Sequence, residues 1–316
     1  MRPALAAAAL LALLVVAAAC GDDRARGQSG TTTTQASTPP PPPGITGPTL
    51  AAAGDIACPP SMSPSRAGCR QADTAAVVRG LDPDVVAALG DLQYDRGELS
   101  NFRRAYDPTW GRFKARTRPA PGNHEYATPG GAGYFTYWGS RAGRRGRGWY
   151  SYDVGTWHVV VLNSNCSKVG CAPGSVQERW LRADLRAHPA RCTLAYWHHP
   201  RFSSGLHGND SSVAPLWRAL YDARADVILN GHDHSYERFA QQTPTAHAST
   251  NGIVEFVVGT GGVNNYPIVR RRPNSVIRRS FVFGVLELTL GEGEYGWRFV
   301  SVPGLTFTDG GTARCH

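Results

Sequence analysis

The chain has 316 residues, 41% of them hydrophobic and 18% charged, with 36 glycines and 23 prolines. This is ordinary globular chemistry, and it excludes a fully disordered chain and a coiled coil. The formal charge of +9 suits an acidic substrate, but the arginines are spread along the sequence, so no nucleic-acid partner is expected.

The first segment reads as a targeting signal. Arg2 precedes an apolar run, Ala4 to Ala19, whose 16 residues are short for a bilayer span of roughly 20. The run fits the core of a secretory signal over residues 1–19. It ends Ala17-Ala18-Ala19-Cys20, followed by Gly21-Asp22-Asp23. This resembles a bacterial lipoprotein signal, in which Cys20 becomes the lipidated first residue; ordinary cleavage near Ala19 is the alternative. Residues 20–48 contain Thr31–Thr34 and Pro39–Pro43 and cannot bury a core. They read as a disordered tether, extended by about 3 Å per residue along the prolines. One folded domain is expected over 49–316. The expected location is outside the cell, anchored by lipid at the outer face of the bacterial cytoplasmic membrane or else secreted. Cys20 is the only expected membrane contact.

Without Cys20, the seven cysteines leave Cys58, Cys69, Cys166, Cys171, Cys192 and Cys315. An even number in an exported chain implies disulfides, with 15 possible pairings for six. Local spacing favours Cys58–Cys69 and Cys166–Cys171, leaving Cys192–Cys315 to pin the C-terminus. There is no Cys-x-x-Cys, so a cysteine zinc site is not expected.

Apolar runs then alternate with helical patterns. Strands are expected at 50–53, 84–89, 157–162, 193–197 and 227–229, and helices at 72–78, 175–187 and 216–223. Only strand-like runs follow, at 253–258, 282–290 and 297–302. The alternation predicts an α/β fold, with a second sheet from the strand-rich tail. Several strands end in Gly followed by Asp, Asn or His. Ligands of α/β sheets sit beyond the carboxyl ends of strands. Asp55, Asp91, Asn123, His198, His232 and His234 should therefore share one crevice. Carboxylates, an amide oxygen and imidazoles together suit Zn, Fe or Mn.

The ordered series Gly54-Asp55-Ile56-Ala57, Gly90-Asp91-Leu92-Gln93-Tyr94, Gly122-Asn123-His124-Glu125, His198-His199-Pro200 and Gly231-His232-Asp233-His234 resembles the calcineurin-like metallophosphoesterases. Within them it resembles the purple acid phosphatase branch, over roughly 49–305. Where the wider superfamily has a ligating His, this chain has Ala57. That branch compensates with a Tyr three residues after the bridging Asp, and Tyr94 stands there. The resemblance implies a β-sandwich of two mixed sheets flanked by helices. It implies two metal ions, one on Asp55, Tyr94 and His234, the other on Asn123, His198 and His232, with Asp91 bridging. A phenolate ligand points to Fe(III) for the first; the second would be Zn, Fe or Mn. His124 and His207 would face the phosphate of a small phosphate-ester substrate as catalytic groups, and Glu125 would orient His124. The larger plant-type members carry an additional N-terminal β-sandwich domain, where this chain has the tether.

The expected function is hydrolysis of phosphomonoesters by a metal-bound hydroxide. The alternatives are a phosphodiesterase or nucleotidase with the same centre, or a tethered binding lipoprotein with an inactive site. His199 reads as a supporting residue. His158, inside a strand, and His188, near a helix end, receive no role. Arg141–Arg147 and Arg270–Arg279 read as solvated loops.

Overall fold

The computed structural model describes residues 44–316. The signal segment, Cys20 and nearly all of the tether lie outside the described residues. Among the described residues no helix is long and apolar enough to cross a membrane.

Two sheets form the fold. The first is ordered β13 (Gly310–Arg314), β12 (Glu294–Ser301), β11 (Gly284–Leu290), β1 (Thr49–Ala53), β2 (Val85–Leu89), β3 (Thr117–Ala120). The second is ordered β10 (Ser275–Arg279), β8 (Tyr236–Phe239), β9 (Val254–Val258), β7 (Val227–Asn230), β6 (Cys192–Tyr196), β5 (Trp157–Val161), β4 (Tyr150–Val154). β1, β2 and β3 are parallel in one sheet, and β5, β6, β7 and β9 in the other; the remaining pairings are antiparallel. Both sheets are mixed, and helices flank them.

The second sheet is covered on both faces, which is why its central strands are predominantly apolar on both sides. Side chains alternate between two cores along each strand. Val159 and Val161, Leu194 and Tyr196, and Val227 and Leu229 join the core that includes the first sheet. Val160, Ala195 and Ile228 point the other way, into a core shared with Leu181, Leu216, Trp217 and Leu220 of helices Val176–Ala187 and Ala214–Asp222. Each fully buried Val, Ile or Leu contributes roughly 1.5–3 kcal/mol. Helix Gln71–Leu81 adds Ala75 and Val78 to the first core. Helix Val176–Ala187 starts where Ser175 caps it. The Ser175 hydroxyl accepts from the Glu178 N–H, and Glu178 reaches back to the Gly174 N–H, satisfying donors a helix start leaves open.

Among the described residues the disulfides are Cys58–Cys69, Cys166–Cys171 and Cys192–Cys315. The last spans 123 residues and ties the C-terminus to the start of β6.

Five strands, β3, β4, β8, β10 and β13, have no counterpart in the expected elements. Four of them are sheet edges and the fifth, β8, is next to an edge. An edge strand has a free hydrogen-bonding side and one open flank, so it tolerates Pro119 in β3 and the glycines and arginine of β13. The arginine-rich stretch 270–279, expected as a solvated loop, contributes β10 for the same reason.

Candidate metal centre

The parallel strands of both sheets end on the same crevice. β1 delivers Gly54-Asp55, β2 Gly90-Asp91 and β3 the loop with Asn123; β6 runs into His198 and β7 into His232. His234 precedes β8. Asp55, Asp91 and His232 all lie in the left-handed backbone region, at φ 60°, 49° and 71°. Such a conformation costs a non-glycine residue about 1–3 kcal/mol, and its concentration at three polar side chains marks a functional site. The glycines of the motifs allow close approach. A Cβ on Gly122 would lie 2.1 Å from Asp91 Oδ1, and one on Gly231 would lie 2.7 Å from Asp55 Oδ2.

The donor atoms form two adjoining sets. Tyr94 Oη lies 2.8 Å from Asp55 Oδ1, 3.0 Å from Asp91 Oδ2 and 3.1 Å from His234 Nε2. His198 Nε2 lies 3.1 Å from the same Asp91 oxygen, 3.2 Å from Asn123 Oδ1 and 3.2 Å from His232 Nδ1. All seven residues expected to hold metal are thus brought together.

The imidazoles are aimed by their other nitrogen. A carbonyl oxygen only accepts, so His198 Nδ1 donates to Leu89 O at 3.0 Å and keeps Nε2 for the crevice. His234 Nδ1 donates to Asn264 Oδ1 at 2.7 Å, with the same result, and Tyr266 stacks on its ring at 3.9 Å. Outer partners of this kind commonly orient metal-ligating histidines. The two carboxylates are oriented by backbone donors, Asp55 by the His232 N–H and Asp91 by the His124 N–H.

The electrostatics suit a cation. Asp55 and Asp91 are buried, and among the described residues their ion pairs run to histidines alone. Burial alone would raise the Asp91 carboxyl, but His198 and His124 reverse this and hold it well below the usual carboxylate range. Burial likewise lowers the His198 imidazole, while Asp91 and Asp55 hold it up at about 9. Burial and the charge of His198 push His232 down, which favours its neutral, ligating form. Burial and the neighbouring carboxylates push the Tyr94 phenol well up. Buried carboxylates, imidazoles and an amide oxygen, converging without a lysine or arginine, fit a metal centre.

Both phosphate-facing candidates border this centre, one against each half. His124 donates from Nδ1 to Asp95 O, and its ring packs on Tyr94 at 4.0 Å. His207 is exposed and stacks on His232 at 4.2 Å. Its backbone N–H donates to Asp233, whose carboxylate also accepts from Gly208 N and Ser203 Oγ. His199 packs near His232 and hydrogen-bonds Ser164 Oγ; burial and His198 push its imidazole down to about 4.

Glu125 does something other than expected. Its carboxylate does not hold the His124 side chain; it accepts from the N–H groups of Asp91, Leu92, Gln93 and Gly122. It thereby fastens the Asp91 loop to the Asn123 loop. Asp233 lies inside the Gly231-His232-Asp233-His234 motif, and nothing in its spacing separates a loop anchor from a ligand. Asn264 and Tyr266 belong to no pattern; their place beside His234 exists only in the folded chain.

Comparison with known proteins agrees with this geometry. The calcineurin-like phosphoesterase family model matches residues 48–236, which include all seven donors. The chain belongs to the calcineurin-like phosphoesterase family. It is 26% identical to purple acid phosphatase 15 of Arabidopsis thaliana over 227 residues, covering 60% of this chain and 42% of that protein. It is 25% identical to a probable inactive purple acid phosphatase 1 of the same plant, over 65% of this chain and 39% of that one. The chain thus spans about two fifths of the length of these relatives. Among solved structures, purple acid phosphatase PPD1 of yellow lupin superposes with TM-score 0.65 at 18% identity, covering 87% of this chain and 55% of that one. The fold is also that of GAP50, the anchor in the inner membrane complex of Plasmodium, with TM-score 0.62, 14% identity and coverage of 84% and 88%.

Proposed function

We propose that the protein is an exported hydrolase of phosphate monoesters. The observation that carries this reading is Asp91 Oδ2, one carboxylate oxygen 3.0 Å from Tyr94 Oη and 3.1 Å from His198 Nε2, shared by two donor sets. On this reading Asp55, Tyr94 and His234 hold one ion, Asn123, His198 and His232 the other, and Asp91 bridges. Two ions so held supply an activated water and neutralise charge on the phosphoryl oxygens. The oxygen-rich first set suits Fe(III), and the Asn–His set accepts Zn, Fe or Mn.

The chain's own groups complete the site. His124 has Nδ1 committed to Asp95 O, so Nε2 is the atom that, protonated, donates to a phosphoryl oxygen or a departing alkoxide. His207 supplies a second imidazole from the His232 side. A cavity of about 410 Å³ next to Asn123, walled by Tyr126, Asn165, Lys168 and Asp210, takes the alcohol portion of a small ester. Three disulfides favour an oxidising compartment, in keeping with export and a lipid tether at Cys20.

The test is metal analysis of the purified protein alongside turnover of p-nitrophenyl phosphate and bis(p-nitrophenyl) phosphate. We expect two metal equivalents and faster monoester turnover by at least about tenfold, ~1.4 kcal/mol at the barrier. Faster diester turnover would make the protein a phosphodiesterase. Bound metal without turnover of either ester would leave a tethered binding protein.

A further inference from the structure

A second cluster of ligand-type side chains lies at the opposite end of the same sheet. His158 is the second residue of β5, whereas the candidate centre lies beyond the carboxyl ends of the parallel strands. His158 is buried, and its Nε2 lies 2.9 Å from Asp184 Oδ2 of helix Val176–Ala187. His188, directly after that helix, places Nδ1 3.4 Å from Asp184 Oδ1. One donor atom from each of His158, Asp184 and His188 can be chosen so that all three lie within 4.8 Å of one another.

We infer that His158, Asp184 and His188 form an additional site for a divalent transition metal of the zinc type, separate from the dinuclear centre. Two imidazoles and a carboxylate are a donor set that zinc takes. The outer partner is already present, since Asp153 Oδ1 lies 2.8 Å from His158 Nδ1. A carboxylate there fixes the ring and leaves Nε2 for metal, just as Leu89 O and Asn264 do for His198 and His234. Ser151 Oγ donates to Asp184 Oδ1 at 2.8 Å and orients the second ligand.

The site is also reachable. A cavity of about 410 Å³ opens on Asp153, His158 and His188, so water can fill a fourth coordination position. Ligands at 2.0–2.1 Å from a tetrahedral zinc stand about 3.3 Å apart. His188 now stacks parallel to His158, 4.8 Å away. It is half exposed and its Nδ1 donates to Asp184 O at 3.0 Å, so that bond must break as the side chain rotates to bring a ring nitrogen to the shared point. The bound ion would clamp the β4–β5 hairpin to the end of the helix, as a structural site and not a catalytic one.

A competing account needs no ion. A protonated His158 between Asp153 and Asp184 gives the same distances as a clamp of charges. The full-length protein, stripped of metal, is therefore titrated with zinc by calorimetry, with bound metal counted by elemental analysis after dialysis. His188→Ala is compared with wild type; the residue is at the surface, so the variant folds. The expected result is one equivalent fewer in the variant, unchanged p-nitrophenyl phosphate turnover, and loss of a zinc-dependent rise in unfolding midpoint seen in wild type. Equal stoichiometries in the two proteins would overturn the site and leave the charge clamp. The comparison counts a difference, so it stands whatever the dinuclear centre binds or hydrolyses.

Discussion

The two halves of the candidate centre are built from different materials. The Asp55–Tyr94–His234 half offers mostly oxygen, and its histidine is aimed by a side chain, Asn264, and covered by Tyr266. The Asn123–His198–His232 half offers mostly nitrogen, and His198 is aimed by a backbone carbonyl, Leu89 O. Backbone support cannot be removed by substitution, whereas side-chain support can. The aim of His234 should therefore be separately adjustable by mutating its support, whereas that of His198 should not.

Asp91 belongs to both halves, and its loss should have the largest effect. Asp91→Asn keeps the shape but removes the negative charge that the two donor sets share. We expect loss of both metal equivalents and a fall in kcat/KM of more than about 1,000-fold, ~4 kcal/mol at the barrier. A variant that retains two ions and near-normal turnover would show that the halves are independent.

Glu125→Gln comes next, and acts on both halves through the backbone. Oε1 accepts from Leu92 and Gln93, and Oε2 from Asp91 and Gly122. An amide replaces one of these oxygens with a donor, so two buried N–H groups lose their partner whichever way it turns. At about 1–3 kcal/mol for each unsatisfied donor, the variant should lose about 2 kcal/mol or more of stability. Denaturant unfolding measures this. An unchanged midpoint would mean that the Asp91 and Asn123 loops hold themselves in place.

Asn264→Ala should separate the halves. It frees the His234 ring while leaving His198 on Leu89 O. Chelator competition should find one metal equivalent bound roughly 10–100-fold more weakly and the other unchanged. Equal weakening of both, or of neither, would contradict the asymmetry.

The same contrast between what is covered and what is open decides how much could be read from sequence. β5, β6 and β7 are apolar apart from His158, Thr193 and Asn230 because a core lies on each face, so they are legible as strands. β3, with Pro119, and β13, with its glycines, are edges and carry no such pattern. Six of the seven donors are legible because each sits at or near a strand end beside a glycine or a second polar residue; Tyr94 is legible only through the resemblance of its motif to the purple acid phosphatase branch. Glu125 lies in the same motif, yet its role depends on four N–H groups that converge only after folding. Asn264 and Tyr266 come from a loop that precedes β10, and sequence order gives no hint that they meet His234.

Tyr94→Phe should have the smallest effect on turnover and the clearest effect on colour. In the proposed centre the Tyr94 oxygen would bond Fe(III), and electron transfer from ring to metal would give a broad visible band. The substitution removes the oxygen and keeps the ring that packs on His124 at 4.0 Å and meets His234 edge-on. The fold and the second half should be untouched, because no donor of the Asn123 set contacts that oxygen among the described hydrogen bonds. Asp55, His234 and Asp91 still hold the first ion, so kcat/KM should fall by no more than about tenfold, ~1.4 kcal/mol at the barrier. The band should vanish while iron is still measurable. An iron-loaded, oxidised wild type without the band, or a band that survives in Tyr94→Phe, would show that Tyr94 only packs against its neighbours. The first half would then rest on Asp55, His234 and Asp91 alone, and the oxygen-rich character that distinguishes it from the second would be lost.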